Sequence, residues 1–559
     1  MKKSIIYTLI ISLGLSLTSC KDFLEEKAYG SPTSEELLQD PENMVRLVGQ
    51  AYAELKWLHD HWGYWGLNTL TSDEARCPVR NPGNNWDDSG YWLKLNSMEW
   101  DQTGQSFENV WDRCIAGANL CNKILKQISA YEDKVKASDY KRYTAELAVL
   151  RSYYYFTMFD LFGRIPYTEE FPSSETAQFP LLPVQDVWTN LVNCLEKETP
   201  NLPAVTPATK AENYGRASQA LGYGLLARLY LNADSYGIKN LPANAYTKCA
   251  EYCQKIIDSK GYSLESNFFN NFIVHNENSS ENIFVIVENG NAAFDYQDIP
   301  GGMCNKLRIN LLTQHYSFQT IYGLLEKPWN GFAASSDYLS MFEASDRRGP
   351  CPENAGTDIN FQDVNKKFCW FLGPVKDANG NIMKDDQGDQ VIIVKNFKSK
   401  ENSTWNDGAR CMKYETEQNS TVNKYSENDF VLMRYAEIVL MYAEACLRGA
   451  EGYNLGYVQS DLDLIRTRAG VMTLTSLNLN TDRADKNSIL NERAREFAWE
   501  NLRRRDLIRF GVYTNPSYKW DFKNIKPGED FRKWFPIPKK MIEVHAGDIE
   551  PWEQNEGYK

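Results

Sequence analysis

The stretch LRSYYYFTMFDLFGRIP, Leu150 to Pro166, indicates most clearly what kind of fold the chain adopts. From Ala145 to Phe162, apolar residues recur at three- and four-residue steps, which is the period of an amphipathic helix. Gly163 follows the last periodic residue, and Pro166 comes shortly afterwards. Because both residue types end helices, the stretch predicts a long helix that stops at Phe162.

The same period recurs along much of the chain. It predicts further helices over residues 43–58, 110–128, 217–232, 245–259, 430–447 and 491–510. Short connections between neighbouring helices favour a stack of tetratricopeptide-like helix pairs. The predicted fold class is therefore mostly α.

The last of these predicted helices contains the basic run Arg503-Arg-Arg-Asp506. A basic run can bind phosphate, but Glu492, Glu496 and Glu500 lie at ion-pair spacing in the same periodic segment. We therefore predict a salt-bridged helix rather than a phosphate site.

Residues 263–428 have a different character. Asn282 to Val287 is a short apolar run typical of a buried strand. Turn clusters at 377–381 and 386–388 flank short runs such as Val391 to Val394, which predicts a hairpin. The first cluster is only loosely like a calcium loop, since Ile382 stands where that loop needs glycine, and we interpret it as a turn.

Composition excludes several classes of function. A chain of 559 residues can bury a large core, and its net charge of −13 argues against non-specific nucleic-acid binding. Its twelve cysteines match no zinc or redox spacing, so we expect buried free thiols with at most an occasional disulfide, and no metal or cofactor. No HExxH, GxSxG, P-loop or dinucleotide-binding pattern occurs, so we expect no enzymatic activity.

The N-terminus has the pattern of an export signal. Lys2 and Lys3 precede an apolar stretch from Ile5 to Leu17 that is too short for a permanent membrane span. The following Leu17-Thr-Ser-Cys20 resembles the lipobox of bacterial lipoproteins. We predict a signal peptide over residues 1–19, lipidation of Cys20, and a protein anchored to the membrane by acyl chains.

Tryptophans are concentrated early in the chain. Seven of the fifteen lie between Trp57 and Trp111, and Trp86 stands in the polar turn NNWDDSGYW, Asn84 to Trp92. A sugar ring has an apolar C–H face and a rim of hydroxyls, so a sugar site needs flat rings beside amides and carboxylates. Trp86 with Asp87 fits that chemistry, whereas we expect Tyr91 and Trp92 to anchor the turn.

Short motifs along the chain together resemble the SusD/RagB family of outer-membrane nutrient-binding lipoproteins. In order they include Cys20–Leu24, Ser72–Glu74, Leu150–Pro166, Glu281–Ile283, Trp329–Phe332, Arg434–Glu437, Arg466–Gly470, Arg505–Ile508, Pro536–Pro538 and Gln554-Asn555. The resemblance implies a single SusD-like fold over residues 20–559, with tetratricopeptide-like helix pairs, an irregular loop-rich portion and a few short β-hairpins. Its parts would be helical at about 36–262, loop-rich at about 263–428 and helical again at about 429–559.

The resemblance also implies a role. Such proteins face the cell exterior on the outer membrane, bind glycans without cleaving them, and act as the lid of a SusC-like TonB-dependent transporter. A platform tryptophan in the region of Trp86, with an arginine shortly before it, here Arg80, is typical of them. Aromatics from the region of Tyr296 would complete an arc of rings.

Four further residues are weaker site candidates. Asp73 could accept hydrogen bonds from hydroxyl groups, although its motif can equally be structural. Trp329-Asn330 combines a ring with an amide, and Cys304 lies near Tyr296 in the sequence.

Three alternative functions stay open on sequence grounds. A peptide-binding member of the same import system would have the same fold. A surface glycosidase would need two carboxylates about 5–10 Å apart in a cleft. A pure scaffold protein would expose an apolar groove and bind no sugar.

Overall fold

The computed structural model describes residues 41–81, 87–172, 178–241, 243–288, 309–418 and 426–558. The chain divides into two compact units, Met1–Leu47 and Val48–Lys559. Of the first unit only residues 41–47 are described, so the predicted signal peptide and Cys20 lie outside the described residues. The fold and site below belong to the second unit.

Helices make up most of the regular structure. In chain order they are α1 (Pro41–Leu58), α2 (Tyr64–Leu70), α3 (Tyr91–Ser97), α4 (Gln105–Ser129), α5 (Ala137–Phe162), α6 (Val184–Glu198), α7 (Lys210–Asn213), α8 (Gln219–Leu231), α9 (Ala233–Tyr236), α10 (Ala245–Asp258), α11 (Ile309–Thr313), α12 (Phe318–Tyr322), α13 (Ser336–Leu339), α14 (Tyr435–Leu447), α15 (Gln459–Thr467), α16 (Ile489–Glu496), α17 (Arg503–Arg509) and α18 (Lys539–Val544). The mostly α prediction is confirmed.

The strands are short and pair two by two. They are β1 (Ile165–Pro166), β2 (Leu181–Leu182), β3 (Asn282–Ile286), β4 (Trp370–Phe371), β5 (Gly373–Pro374), β6 (Ile392–Ile393), β7 (Arg410–Cys411) and β8 (Phe430–Arg434). The antiparallel pairs are β1 with β2, β3 with β8, β4 with β7, and β5 with β6. The predicted buried strand is confirmed in β3. The predicted hairpin is confirmed by β5 and β6, and Asp377 accepts backbone hydrogen bonds within its turn.

The long helices pack as successive neighbours. Helix α4 packs on α5, α5 on α6, α6 and α10 on α8, and α10 on α14. Every residue of α5 from Ala145 to Phe162 is buried, so this helix forms the centre of the stack. Its buried polar residues are paired, as in the ion pair of Asp160 with Arg505. The helix predicted from LRSYYYFTMFDLFGRIP is confirmed, including its end at Phe162.

Two predicted helices are wrong in part. Residues 430–447 divide into strand β8 and helix α14, because β3 is buried and needs a partner for its backbone groups. Residues 491–510 divide into α16 and α17. Between them Trp499 and Asn501 have positive φ values of 61° and 66°, and the Trp499 amide donates to the buried carboxyl of Glu74 at 3.0 Å.

The basic run of α17 is salt-bridged, as predicted, but chiefly to other elements. Arg503 pairs with Asp73 at 2.7 Å and Arg505 with Asp160 at 2.8 Å. Both partners lie hundreds of residues earlier in the chain. These buried pairs therefore fasten the C-terminal helices to the N-terminal part of the fold.

A second buried charge cluster joins β3, β8 and the C-terminal helices. Arg434 and Arg468 both contact the carboxylates of Glu281 and Glu496. Burial alone would raise the pKa of Glu281, but Arg468 and Arg434 outweigh burial and lower it to about 2. The cluster is thus held in its charged form at neutral pH.

The described residues contain ten cysteines, all free and nine of them buried, which confirms the expected buried thiols for that part of the chain. Within the described ranges, no helix has both the length and the apolar character needed to cross a membrane.

Candidate functional site

Three chain segments, 76–81, 331–334 and 403–410, lie side by side and form the base of the candidate site. Arg76 and Ala333 exchange two backbone hydrogen bonds of 2.8 and 3.0 Å, and Ala334 and Ala409 exchange two more. On the other edge, the Asn81 amide donates to the Ser403 carbonyl at 2.7 Å. This small backbone ladder sets the positions of the side chains around it.

Arg80 is buried and links the three segments of this base through hydrogen bonds to backbone carbonyls. Its guanidinium donates to the carbonyls of Thr404 at 2.7 Å, Asp407 at 3.0 Å and Gly331 at 3.2 Å. Burial lowers its pKa to about 10. Because only 3% of Arg80 is exposed, the prediction that it contacts glycan directly is corrected to a positioning role.

Asn330 is a second buried residue that links segments of the base through hydrogen bonds. Its side-chain amide donates to the Trp405 carbonyl at 2.9 Å, and its oxygen accepts from Nε of Arg410 at 2.8 Å. The residue is fully buried and has a φ of 53°, a conformation that asparagine tolerates better than most residues. Its predicted direct contact with glycan is likewise corrected, because no face of its amide reaches solvent.

Asp73 lies in the interior, away from any surface. Its carboxylate accepts from Arg503 at 2.7 and 2.8 Å and from Arg483 at 3.1 Å. Burial alone would raise the pKa of Asp73, but Arg503, helped by Arg483 and Arg76, holds it well below its usual range. The structural alternative for this motif therefore fits, and the predicted contact of Asp73 with sugar hydroxyls does not.

Trp329 lies at the edge of the base and is half-buried. Its backbone amide donates to the Leu311 carbonyl of α11 at 2.6 Å, and its ring lies 5.7 Å from the buried ring of His61, edge to face. The backbone bond and the His61 contact hold this half-buried residue in place.

Trp405 is a second half-buried ring, which the sequence analysis missed. It lies 6.4 Å from the ring of Tyr316, edge to face, and Tyr316 is also half-buried. The Lys327 ammonium lies 4.4 Å above the Tyr316 ring. Trp405 stands in Ser403-Thr-Trp-Asn-Asp407, the same kind of polar turn that drew attention to Trp86, so the signal was present.

Asp87 is half-exposed at the start of a tight turn. Asp88, Ser89 and Gly90 all have positive φ values, and the Asp88 carboxylate accepts from the indole N–H of the fully buried Trp92. Tyr91 stacks on Trp62, with ring centroids 5.1 Å apart. The prediction that Tyr91 and Trp92 anchor this turn is confirmed.

Trp86, Tyr296 and Cys304 lie outside the described residues, so their assignment to the site stays a prediction. Asp87, which follows Trp86 in the chain, belongs to the turn just described. Trp370 is fully buried in β4 and is unsuited to ligand contact.

The two early histidines, His59 and His61, both form hydrogen bonds. Nε2 of His59 lies 3.0 Å from the Tyr153 hydroxyl, and Nδ1 of His61 lies 2.5 Å from Asp60. Among the residues that the structure describes, no group of three or more His, Cys, Asp or Glu side chains could hold a metal ion.

Comparison with known proteins identifies the family. A family model described as the SusD family matches residues 325–558, and one described as starch-binding associating with outer membrane matches residues 22–231. The starch-binding protein SusD of Bacteroides thetaiotaomicron is 26% identical over 524 residues, covering 89% of this chain and 85% of that protein.

Solved structures agree with this match. A SusD superfamily protein from Parabacteroides distasonis has a TM-score of 0.69 at 18% identity, covering 94% of this chain and all of that one. Surface glycan-binding protein A from Bacteroides thetaiotaomicron, in complex with laminarihexaose, has a TM-score of 0.67 at 22% identity, covering 92% of this chain and 99% of that one. The chain is a member of the SusD family, and its fold is the one shared by these structures.

Proposed function

We propose that this protein binds glycans at the cell surface through the rings of Trp329, Trp405 and Tyr316, without cleaving them. The observation that carries the proposal is the pair of half-buried tryptophans on one rigid base. The Asn330 amide, adjacent to Trp329 in the chain, is bonded to the Trp405 carbonyl, so one hydrogen bond ties the two ring-bearing segments together.

The physical basis is stacking on preorganised rings. The apolar faces of sugar rings contact flat indole surfaces, and the polar groups nearby bind the hydroxyl rim. Asp87, Asp386 and Lys327 are exposed or half-exposed polar side chains that suit this second task. Because the backbone beneath is fixed by Arg80 and Arg410, little conformational freedom is lost on binding.

Trp86 and Tyr296 belong to the same proposal. Trp86 directly precedes the turn that begins at Asp87. Tyr296 lies in the segment that leads to α11, whose Leu311 carbonyl holds the Trp329 backbone. Both residues are proposed as further platforms, and Cys304 is kept as a minor candidate.

Delivery to a transporter completes the proposal. We infer that the protein is anchored to the outer membrane through lipidated Cys20, faces the exterior, and passes its glycan to a SusC-like TonB-dependent transporter as its lid. Support comes from the lipobox-like Leu17–Cys20 and from family membership, since one matching family model is described as associating with the outer membrane.

The test is calorimetry of the lipid-free protein, residues 21–559, against starch, laminarin, other plant and host glycans, and a peptide panel. Binding of at least one glycan, weakened by Trp329→Ala and by Trp405→Ala, is the expected result. Binding of peptides but of no glycan would favour the peptide-import alternative. Release of reducing sugar during the titration would favour the glycosidase alternative.

A further inference from the structure

Tyr316, one of the three rings of the proposed site, has a neighbour over each of its faces. The imidazole of the buried His315 lies 4.0 Å from its ring centre, at an interplanar angle of 33°. That separation is shorter than the roughly 4.5–7 Å of edge-to-face pairs, so the imidazole lies over one face. The Lys327 ammonium lies 4.4 Å from the same centre, over the ring. Because His315 already fills one face, Lys327 occupies the other.

The inner neighbour, His315, is fixed and uncharged. Its Nδ1 lies 2.8 Å from the Ser317 hydroxyl and accepts the Ser317 backbone amide at 3.2 Å. A ring nitrogen that accepts a hydrogen bond carries no proton. Burial, helped by Arg410 and Arg80, lowers the pKa of His315 well below its usual value, so the imidazole is neutral at pH 7. The Tyr316 face that it covers is closed to any ligand.

The outer neighbour, Lys327, is exposed and can move. Its side chain is 54% exposed, and its ammonium pairs at 3.6 Å with the carboxylate of Asp386, which is itself 70% exposed. Ion pairs and cation–π contacts at such exposed positions hold a side chain only weakly. The ammonium stands on a flexible four-carbon stem, so it can leave the ring face without a change in the backbone.

The position of the Tyr316 ring does not depend on Lys327. The backbone amide of Asp386 donates to the Tyr316 hydroxyl at 3.2 Å. The hairpin tip that carries Asp386 is closed by its own backbone, since the Asp385 amide donates to the Asp389 carbonyl at 2.9 Å. Removal of the ammonium would therefore leave the ring in place with its outer face open.

We propose that Lys327 determines the affinity of the site by covering the Tyr316 face that a glycan would use. Sugar stacking and the cation–π contact need the same face, so the two exclude each other. A glycan that stacks on Tyr316 displaces the ammonium toward solvent and Asp386, and the lost contact lowers the net affinity. This inference rests on the proposed function, because it concerns one of the rings of that site.

The experiment compares variants of the lipid-free protein by calorimetry with maltohexaose, laminarihexaose and the glycan panel given above. Lys327→Ala removes the cover, and Lys327→Arg keeps a cation that can stack on the ring. Lys134→Ala is the matched control, because that exposed lysine lies 4.8 Å over the half-buried ring of Tyr131 in another part of the fold. Thermal unfolding establishes that each variant is folded.

Lys327→Ala is expected to bind glycan about two- to fivefold more tightly than wild type, as for the loss of one competing cation–π contact. Lys327→Arg and Lys134→Ala should bind as wild type. In a Tyr316→Ala background, Lys327→Ala should change nothing, because no ring face remains to be covered. High salt should strengthen binding by wild type, since it screens the pair with Asp386, and should not affect Lys327→Ala.

A second measurement follows the lysine itself. Reductive methylation with ¹³C gives each lysine amine an NMR signal and keeps its positive charge. The ring current of Tyr316 should shift the Lys327 signal upfield, and the signal that is missing from Lys327→Arg identifies it. Addition of glycan should move this signal toward the position of exposed lysines.

Affinity of Lys327→Ala equal to that of wild type, with an unmoved Lys327 signal, would overturn the inference and leave Trp329 and Trp405 as the site. Weaker binding by Lys327→Ala would also overturn it, because the ammonium would then bind the hydroxyl rim instead of competing with the sugar. Wild-type affinity in both Trp329→Ala and Trp405→Ala would instead refute the proposed function. Absence of wild-type binding to every glycan of the panel would overturn both.

Discussion

The side-chain amide of Asn330 donates a hydrogen bond of 2.9 Å to the backbone carbonyl of Trp405. This bond joins two segments that are 75 residues apart in sequence and that each carry a half-buried tryptophan. The spacing between the two rings therefore depends on a residue that itself never reaches solvent.

Asn330→Asp should weaken glycan binding while preserving the fold. The carboxylate still accepts from Nε of Arg410, but it cannot donate to the Trp405 carbonyl and repels it. We expect a loss of about 1–3 kcal/mol in unfolding free energy and a parallel loss of affinity. Denaturant unfolding and calorimetry measure the two effects, and full wild-type affinity in the variant would contradict the proposed link between Asn330 and ring position.

Trp329→Ala and Trp405→Ala should each weaken glycan binding by about 2 kcal/mol, or roughly 30-fold, as expected for an aromatic anchor at the centre of a binding surface. Trp57→Ala is the matched control, because that ring is also half-buried but lies against Arg113 in another part of the fold. Equal losses in all three variants would indicate a general effect on the fold rather than ligand contact.

Asp73→Asn should destabilise the protein by about 3–5 kcal/mol, because it leaves the buried Arg503 guanidinium without its carboxylate. The variant that still folds at low temperature should bind glycan with unchanged affinity, because Asp73 is buried. Asp73→Leu/Arg503→Leu should recover part of the lost stability. A selective loss of affinity at full stability would return Asp73 to the list of glycan contacts.

The buried carboxylates predict loss of stability in acid. Burial alone would raise the pKa of Glu281, Glu492 and Asp506, but neighbouring arginines lower each to about 2. Their unfolded-state pKa values are about 4, so the unfolded chain binds more protons below that pH. The stabilisation is therefore complete above about pH 4.5 and is lost as the pH falls toward 2. Urea unfolding at pH 7, 4 and 3 measures it, and equal stability at all three values would contradict the charged cluster.

The buried carboxyl of Glu74 predicts that folding stability falls as the pH rises, in a higher pH range. Burial raises its pKa to about 8, so the folded protein keeps a proton that the unfolded chain releases above about pH 4.5. The folding stability that protonated Glu74 contributes is complete below about pH 4.5 and is lost as the pH rises through about 8. Glu74→Gln mimics the protonated acid and should become more stable than wild type, by a few kcal/mol, as the pH rises from 5 to 8. A pH-independent difference between the two proteins would contradict this assignment.

Much of the helical scaffold could be predicted from sequence, because its signal is local. The helical periods over residues 145–162 and 245–259 predict C-terminal ends that lie within one residue of the ends of α5 and α10. The pairing of Arg503 with Asp73 could not be predicted, since ion pairs between distant segments leave no spacing in the sequence. For the same reason the split at Trp499 was missed, because the Glu74 carboxyl that supports it comes from the other end of the chain.

The candidate site was predicted less well than the fold, because polar residues predicted to contact glycan are buried in the structure. Asp73, Arg80 and Asn330 are polar residues near rings, a pattern that suits sugar contact and internal bracing equally. Burial decides between the two roles, and burial depends on the whole fold. Trp405 was missed although it stands in a polar stretch similar to that around Trp86, so the same pattern predicts both tryptophans as candidate platforms.

Arg80 and Arg410 stabilise the base of the site by donating hydrogen bonds to main-chain carbonyls, and all twenty amino acids have such a carbonyl. The rings at 329 and 405 can therefore be exchanged for others without dismantling the platform that bears them. Such a platform tolerates substitutions at its contact surface. Evolution or protein engineering could therefore change its specificity toward a different polysaccharide by altering a few surface positions.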